Sequence, residues 1–161
     1  MSKILVAYFS ATGETARLAK NIAAATGGEI FEIKPVEPYS HEDLNWHDKR
    51  SRSSVEMADK RSRPPVANRV GDMASYKLLF IGFPIWWYEA PHIIYSFLEN
   101  YNLAGKTIVP FATSEGSGIA QAQEAMQRCC PRTRFLPGRR LDSWATYSDI
   151  KDWLVNIGIS K

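Results

Sequence analysis

The sequence predicts an α/β fold in which a buried parallel sheet carries helices on both faces, a three-layer sandwich. Two observations carry this prediction. Short runs that are apolar at almost every position, residues 4–9, 77–83 and 107–112, alternate with stretches of helical periodicity. Strands separated by helices make parallel βαβ units, and a strand without a polar face is one covered on both sides.

Each element has a local reason. The first run leads into Leu18, Ala19, Ile22 and Ala23 at helical spacing, with Gly27-Gly28 as the stop. Ile30, Phe31 and Ile33 give a short second strand closed by Pro35. After the third strand, Pro91 suits the first turn of a helix, followed by Ile94, Phe97, Leu98 and Tyr101 at i, i+3, i+4 and i+7. Pro110 lies inside the fourth run, where its missing N–H predicts a bulge or an early strand end. Ile119, Ala122, Met126 and Cys129 form the returning helix, and residues 133–136 a weak fifth strand. Thr146-x-x-Asp149 reads as a capping box opening a last helix with Ile150, Trp153, Leu154 and Ile157 on one face. Residues 35–75 are long for one connection. A helix is expected to start at Ser40-His41-Glu42-Asp43, the remainder being loop, with Trp46 as its buried anchor. No internal repeat or low-complexity tract is read in the chain.

With 161 residues, 45% hydrophobic and 23% charged, residues 1–161 are expected to form a single domain with a sizeable core. The longest apolar run, residues 78–87, is interrupted by Gly82 and Pro84 and falls short of the roughly 20 residues a membrane-spanning helix needs. The six apolar residues after Met1-Ser2-Lys3 are shorter than a secretory h-region of about 7–15. Cys129 and Cys130 are adjacent and have no other cysteine to pair with, so a reducing cytoplasm is the expected compartment and inert packing their expected role. The formal net charge of +3 is uneven. Residues 49–69 hold seven basic residues against two acids, a local +5 that leaves −2 for the rest. No aromatic residue is interleaved with these charges, which argues against nucleic acid as the partner.

In open parallel sheets, ligands bind beyond the carboxyl ends of the strands. Three loops there carry ligand-like chemistry. After the first strand, Ser10-Ala11-Thr12-Gly13-Glu14-Thr15 places three hydroxyls and a glycine at a helix N-terminus. Free N–H groups converge at such a place and suit a phosphate. After the third, Pro84-Ile85-Trp86-Trp87-Tyr88 sets three successive aromatics in one loop, so at least one must be exposed and offer a flat face to a planar heterocycle. After the fourth, Thr113-Ser114-Glu115-Gly116-Ser117-Gly118 allows close backbone approach to a ligand. Other chemistries are excluded. Gly105-Lys106-Thr107 precedes a strand and lacks the earlier glycine of a P-loop, no G-x-G-x-x-G occurs, and His41, His47 and His92 have no metal-ligand spacing. No cysteine follows the first strand, as a phosphatase on this architecture needs, and no aspartate ends the third, as a phospho-acceptor needs.

The combination S-x-T-G-x-T, G-F-P-I-W-W and T-S-E-G-S-G resembles the flavodoxin family over nearly the whole chain, and within it short-chain proteins with a P-I-W-W loop. The resemblance implies a five-stranded parallel sheet of order 2-1-3-4-5 and FMN as the ligand. It implies that residues 10–15 hold the phosphate, that residues 84–88 line one side of the isoalloxazine ring, and that residues 113–118 approach the ring's pyrimidine end. The expected function is electron transfer through bound FMN, with redox proteins or small quinone-like acceptors as partners. The alternative is an NAD(P)H-dependent quinone or FMN reductase on the same fold. Neither membrane insertion nor nucleic-acid binding is expected. Two departures stand out. Many flavodoxins have a glycine in the loop after the third strand, where Trp86-Trp87-Tyr88 has none, and most are acidic, whereas this chain has a sequence pI near 8.9.

Overall fold

The computed structural model describes residues 3–114 and 118–159. Six strands, β1 (Lys3–Tyr8), β2 (Glu29–Glu32), β3 (Tyr76–Pro84), β4 (Thr107–Thr113), β5 (Arg134–Phe135) and β6 (Arg139–Arg140), form one parallel sheet. Its order is β2-β1-β3-β4-β5, with β6 also on β4. This is the flavodoxin-like order expected. Helices α1 (Glu14–Thr26) and α5 (Tyr147–Asn156) cover one face; α3 (His92–Glu99) and α4 (Ala120–Cys129) cover the other.

The apolar strands sort their side chains by parity. Leu5, Ala7 and Phe9 join Leu79, Ile81 and Phe83 in the core under α3 and α4. Val6 and Tyr8 join Phe80, Val109 and Phe111 in the core under α1 and α5. Successive strand residues point to opposite faces, so a strand that feeds two cores cannot afford a polar side. Thr146 and Asp149 close the predicted capping box at the start of α5. At the opposite end of the sheet from the three loops, the buried Lys106 ammonium donates to the carbonyls of Met73 (3.0 Å) and Tyr76 (2.6 Å).

The bulge or early strand end expected at Pro110 is not found: β4 runs on to Thr113 with its register to β3 unbroken, and the interruption falls on the neighbouring strand instead. The N–H groups of Leu136 and Leu141 donate to Ile108 and Ala112, whereas Pro110 lies between them with no donor to give. There the edge strand breaks into β5 and β6. Gly138 fills the gap so tightly that a Cβ would stand 2.6 Å from the Pro110 carbonyl oxygen. The Gln123 side chain replaces the lost pairing by accepting from the Gly138 N–H and donating to the Leu136 carbonyl.

Three further expectations are corrected. Ser40 and Asp43 do exchange reciprocal cap-like hydrogen bonds, but they close only one turn, and the helix of this connection is α2 (Arg52–Ala58). The Asn45 side chain takes up the His47 N–H just where a helix would have to continue. Trp46 is 63% exposed rather than buried, stacked on His47 at 3.7 Å. Finally, a short internal repeat exists, Asp-Lys-Arg-Ser-Arg at residues 48–52 and again at 59–63.

Candidate functional site

The loop after β1 is shaped by Ser10. Its Oγ accepts from the N–H groups of Gly13 (3.0 Å) and Ala16 (3.2 Å), which leaves its own proton free to donate. Gly13, at φ +94°, turns the chain into α1 in a conformation costly for any residue with a Cβ. Ser10 thus takes up one N–H of the first turn of α1, that of Ala16, whereas the N–H groups of Thr12, Glu14 and Thr15 find no acceptor among the described residues. Unpaired N–H groups at a helix start form a site for an anion.

Thr113, 4% exposed at the end of β4, ties the three predicted loops together. Its hydroxyl shares a hydrogen bond of 2.8 Å with that of the buried Thr15, and its carbonyl accepts from the Ile85 N–H at 3.0 Å. The Phe9 N–H donates to the Gly82 carbonyl, closing the same ring of contacts. The structure thus gathers residues 10–15, 84–88 and 113–114 at one end of the sheet. Thr12 and Glu14 are exposed, Ser10 and Ala11 partly so, and Gly118 exposed; Glu115, Gly116 and Ser117 lie outside the described residues.

The aromatic loop divides its labour. Pro84 ends β3 opposite Thr113. Trp86 is half-buried, its ring edge-on to Phe9 at 5.8 Å and to Tyr39 at 5.6 Å. Trp86 and Glu89 exchange both backbone hydrogen bonds, and between them Trp87 (φ +48°) and Tyr88 (φ +68°) are both left-handed. This is a type I′ turn, normally the province of Asn-Gly. It holds two large rings out to solvent, Trp87 at 43% and Tyr88 at 62% exposure.

Several supporting residues escape a reading of the sequence. Tyr39 holds Trp86 in place and is itself held by a hydrogen bond from its hydroxyl to Glu56 (2.5 Å) and by the Arg52 guanidinium 3.8 Å above its ring. Burial, and then the Glu56 carboxylate, raise the Tyr39 pKa well above that of a free phenol. Arg140 donates to the Ser114 carbonyl at 3.1 Å. No cation lies inside residues 10–15, but Arg17 follows one turn on, its guanidinium 3.9 Å over the exposed Trp144 ring. None of these contacts is local in sequence, and only their position beyond the strand ends marks them. At the start of α3, Ser62 gives its proton to the Glu56 carbonyl, so His92 donates its Nδ1–H to Ser62 (2.6 Å). Burial holds the His92 pKa below its ordinary value.

Cys129 and Cys130 lie remote from this cluster, at the end of α4. Burial raises both thiols, Cys130 to about 11, which keeps them protonated and fits a packing role.

The family model for flavodoxin matches residues 3–157. The chain belongs to the flavodoxin family. A crystal structure of a candidate flavoprotein from Bacteroides eggerthii DSM 20697 is similar to this flavodoxin-family chain at 46% identity and a TM-score of 0.95, over 99% of this chain and 100% of that one. A second candidate flavoprotein, from Bacteroides uniformis ATCC 8492, has 49% identity and a TM-score of 0.92, over 96% and 98%. A flavoprotein from Lactobacillus acidophilus NCFM, solved in complex with FMN, shares the fold at a TM-score of 0.72 and 22% identity, over 95% and 99%. No curated protein sequence matches the chain.

Proposed function

We propose that this flavodoxin-family protein binds FMN between the three loops and serves as an electron carrier. The observation that carries the reading is the conjunction at Thr113, where a helix start with unpaired N–H groups and an exposed aromatic turn are locked side by side. The FMN complex of the L. acidophilus flavoprotein, on the same fold, supports it. The donor set fits the ligand at both ends. The free N–H groups of Thr12, Glu14 and Thr15, with the Ser10 and Thr12 hydroxyls, suit a phosphate without a counter-cation. Trp86, Trp87 and Tyr88 suit a flat apolar ring.

Bound flavin supplies the redox chemistry, and the protein sets its surroundings. Residues 10–15 anchor the phosphate and so fix where the ring lies. Thr113 transmits that position to the aromatic turn through its hydroxyl and its carbonyl. Trp87 and Tyr88 exclude water from one face of the ring and remain exposed to an incoming partner. Such an accessible edge is what an electron carrier needs to exchange electrons with its partner.

The test is direct. Purified protein is expected to be yellow, or to take up added FMN with quenching of flavin fluorescence. A preparation that binds no FMN would overturn the reading. With NAD(P)H and menadione, the loaded protein is expected to turn over slowly unless a reductase is added; rapid turnover alone would identify it as a reductase.

A further inference from the structure

The repeated pentapeptide folds the same way twice. In the first copy, Asp48 accepts the Arg50 N–H on its side chain (2.9 Å) and the Ser51 N–H on its carbonyl (3.0 Å). In the second, Asp59 does the same for Arg61 (3.0 Å) and Ser62 (3.0 Å). The inward half of each copy is then committed to the fold. Ser51 caps α2, and Ser62 bonds Glu56 and His92. Arg52 pairs with Glu56 and lies over Tyr39; Arg63 pairs with Glu99 and lies over Tyr95. The outward half is free. Lys49, Arg50, Lys60 and Arg61 are exposed and make no ion pair among the described residues.

The two turns stand at the ends of α2, whose seven residues span about 10 Å at a rise of 1.5 Å each. Val55, 55% exposed, lies on α2 between them. An apolar centre flanked by cations is the anatomy of a protein interface rather than of a small-molecule pocket. Its place is set by the same contacts that build the site. Tyr39, pinned to α2 through Arg52 and Glu56, packs on Trp86, and Ser62 leans on His92 just beyond the type I′ turn.

We propose that α2 and its two Lys-Arg turns form a docking face for an acidic one-electron redox protein. This rests on the electron-carrier reading above and adds the partner's charge and location to it. One electron leaves the partner's reduced centre and is taken up at the flavin site, with any accompanying proton supplied by water. Opposite charges steer such encounters and raise their rate, an effect that salt removes.

The test uses FMN-loaded protein and reduced plant-type ferredoxin, an acidic one-electron donor, mixed in a stopped-flow spectrometer. Lys49→Glu/Arg50→Glu and Lys60→Glu/Arg61→Glu are each expected to slow electron transfer about tenfold at low ionic strength, and the four together more, with the difference gone at high salt. Lys20→Glu/Arg128→Glu, an equal charge change on exposed positions of α1 and α4, is expected to cost less than about threefold. Photoreduced 5-deazariboflavin, which is neutral, should reduce every variant at the wild-type rate. Wild-type rates with ferredoxin in the fourfold variant, or an equal loss in the α1/α4 control, would overturn the proposal. So would binding of the wild type to anionic vesicles, lost in the fourfold variant, with ferredoxin rates unaffected. Failure of the electron-carrier reading is told apart by the absence of FMN from the visible spectrum, or by no reduction with deazariboflavin.

Discussion

Replacing Tyr88 by glycine is expected to make the FMN-free protein more stable, although it deletes an aromatic side chain. Tyr88 sits at the third position of the type I′ turn at φ +68°, after Trp87 at +48°. An L-residue with a side chain pays roughly 1–2 kcal/mol for the left-handed conformation. Glycine pays nothing there, but loses about 0.5–1 kcal/mol more conformational entropy on folding. The Tyr88 ring is 62% exposed and has no hydrogen-bonded hydroxyl among the described residues, so little packing is forfeited. The balance is a gain of up to about 1.5 kcal/mol. Urea unfolding followed by far-ultraviolet circular dichroism measures it, because that signal does not depend on the deleted ring. Tyr88→Ala removes the ring and keeps the backbone cost, so it should be no more stable than wild type. FMN affinity should move the opposite way in Tyr88→Gly, falling with the loss of an aromatic face worth about 0.5–1.5 kcal/mol. If Tyr88→Gly is no more stable than Tyr88→Ala, the turn stores no strain and the reasoning fails.

Three further outcomes follow from buried polar contacts. Thr15→Val and Thr113→Val should each destabilise by about 1–3 kcal/mol by stranding the other hydroxyl, while the double variant should cost less than their sum; additive losses in a denaturation cycle would break the claim that the 2.8 Å contact joins the loops. Lys106→Met should cost about 1–3 kcal/mol, since the Met73 and Tyr76 carbonyls lose their buried donor, and an unchanged urea midpoint would refute this. Because burial lowers the His92 pKa, the unfolded chain binds that proton more readily, so stability is full above about pH 6.5 and falls as pH drops below it. Melting temperatures at pH 7.5 and 5.5 should therefore differ less in His92→Asn than in wild type; equal differences would show that His92 does not titrate on unfolding.

The sheet was legible because burial on both faces leaves a strand no polar register, as in residues 4–9 and 107–112. Pro110 signalled an irregularity but misplaced it, since its missing N–H faces the edge and leaves β4 itself whole. The elements that escaped are those whose stability comes from elsewhere. Residues 52–58 bury only Ser53, and the helix they form is pinned through Tyr39 and His92, far away in the chain. The two-residue β6, Arg139-Arg140, has no apolar pattern to read. The three ligand loops were visible as chemistry after strand ends. The left-handed turn at Trp87-Tyr88 was not, because propensity points away from such residues there and tertiary contacts on Trp86 overrule it.

The notch between β5 and β6 has a bearing on life at high protein concentration. A sheet with an open flank invites a neighbouring chain to add itself there, the first step toward aggregation. Here that flank offers only two-residue segments, separated by Leu136, Pro137 and Gly138 and sealed by Gln123. A proline in the adjacent strand thereby denies strangers a template along that border, and Arg134, Arg139 and Arg140 on the same two segments add like charge to it.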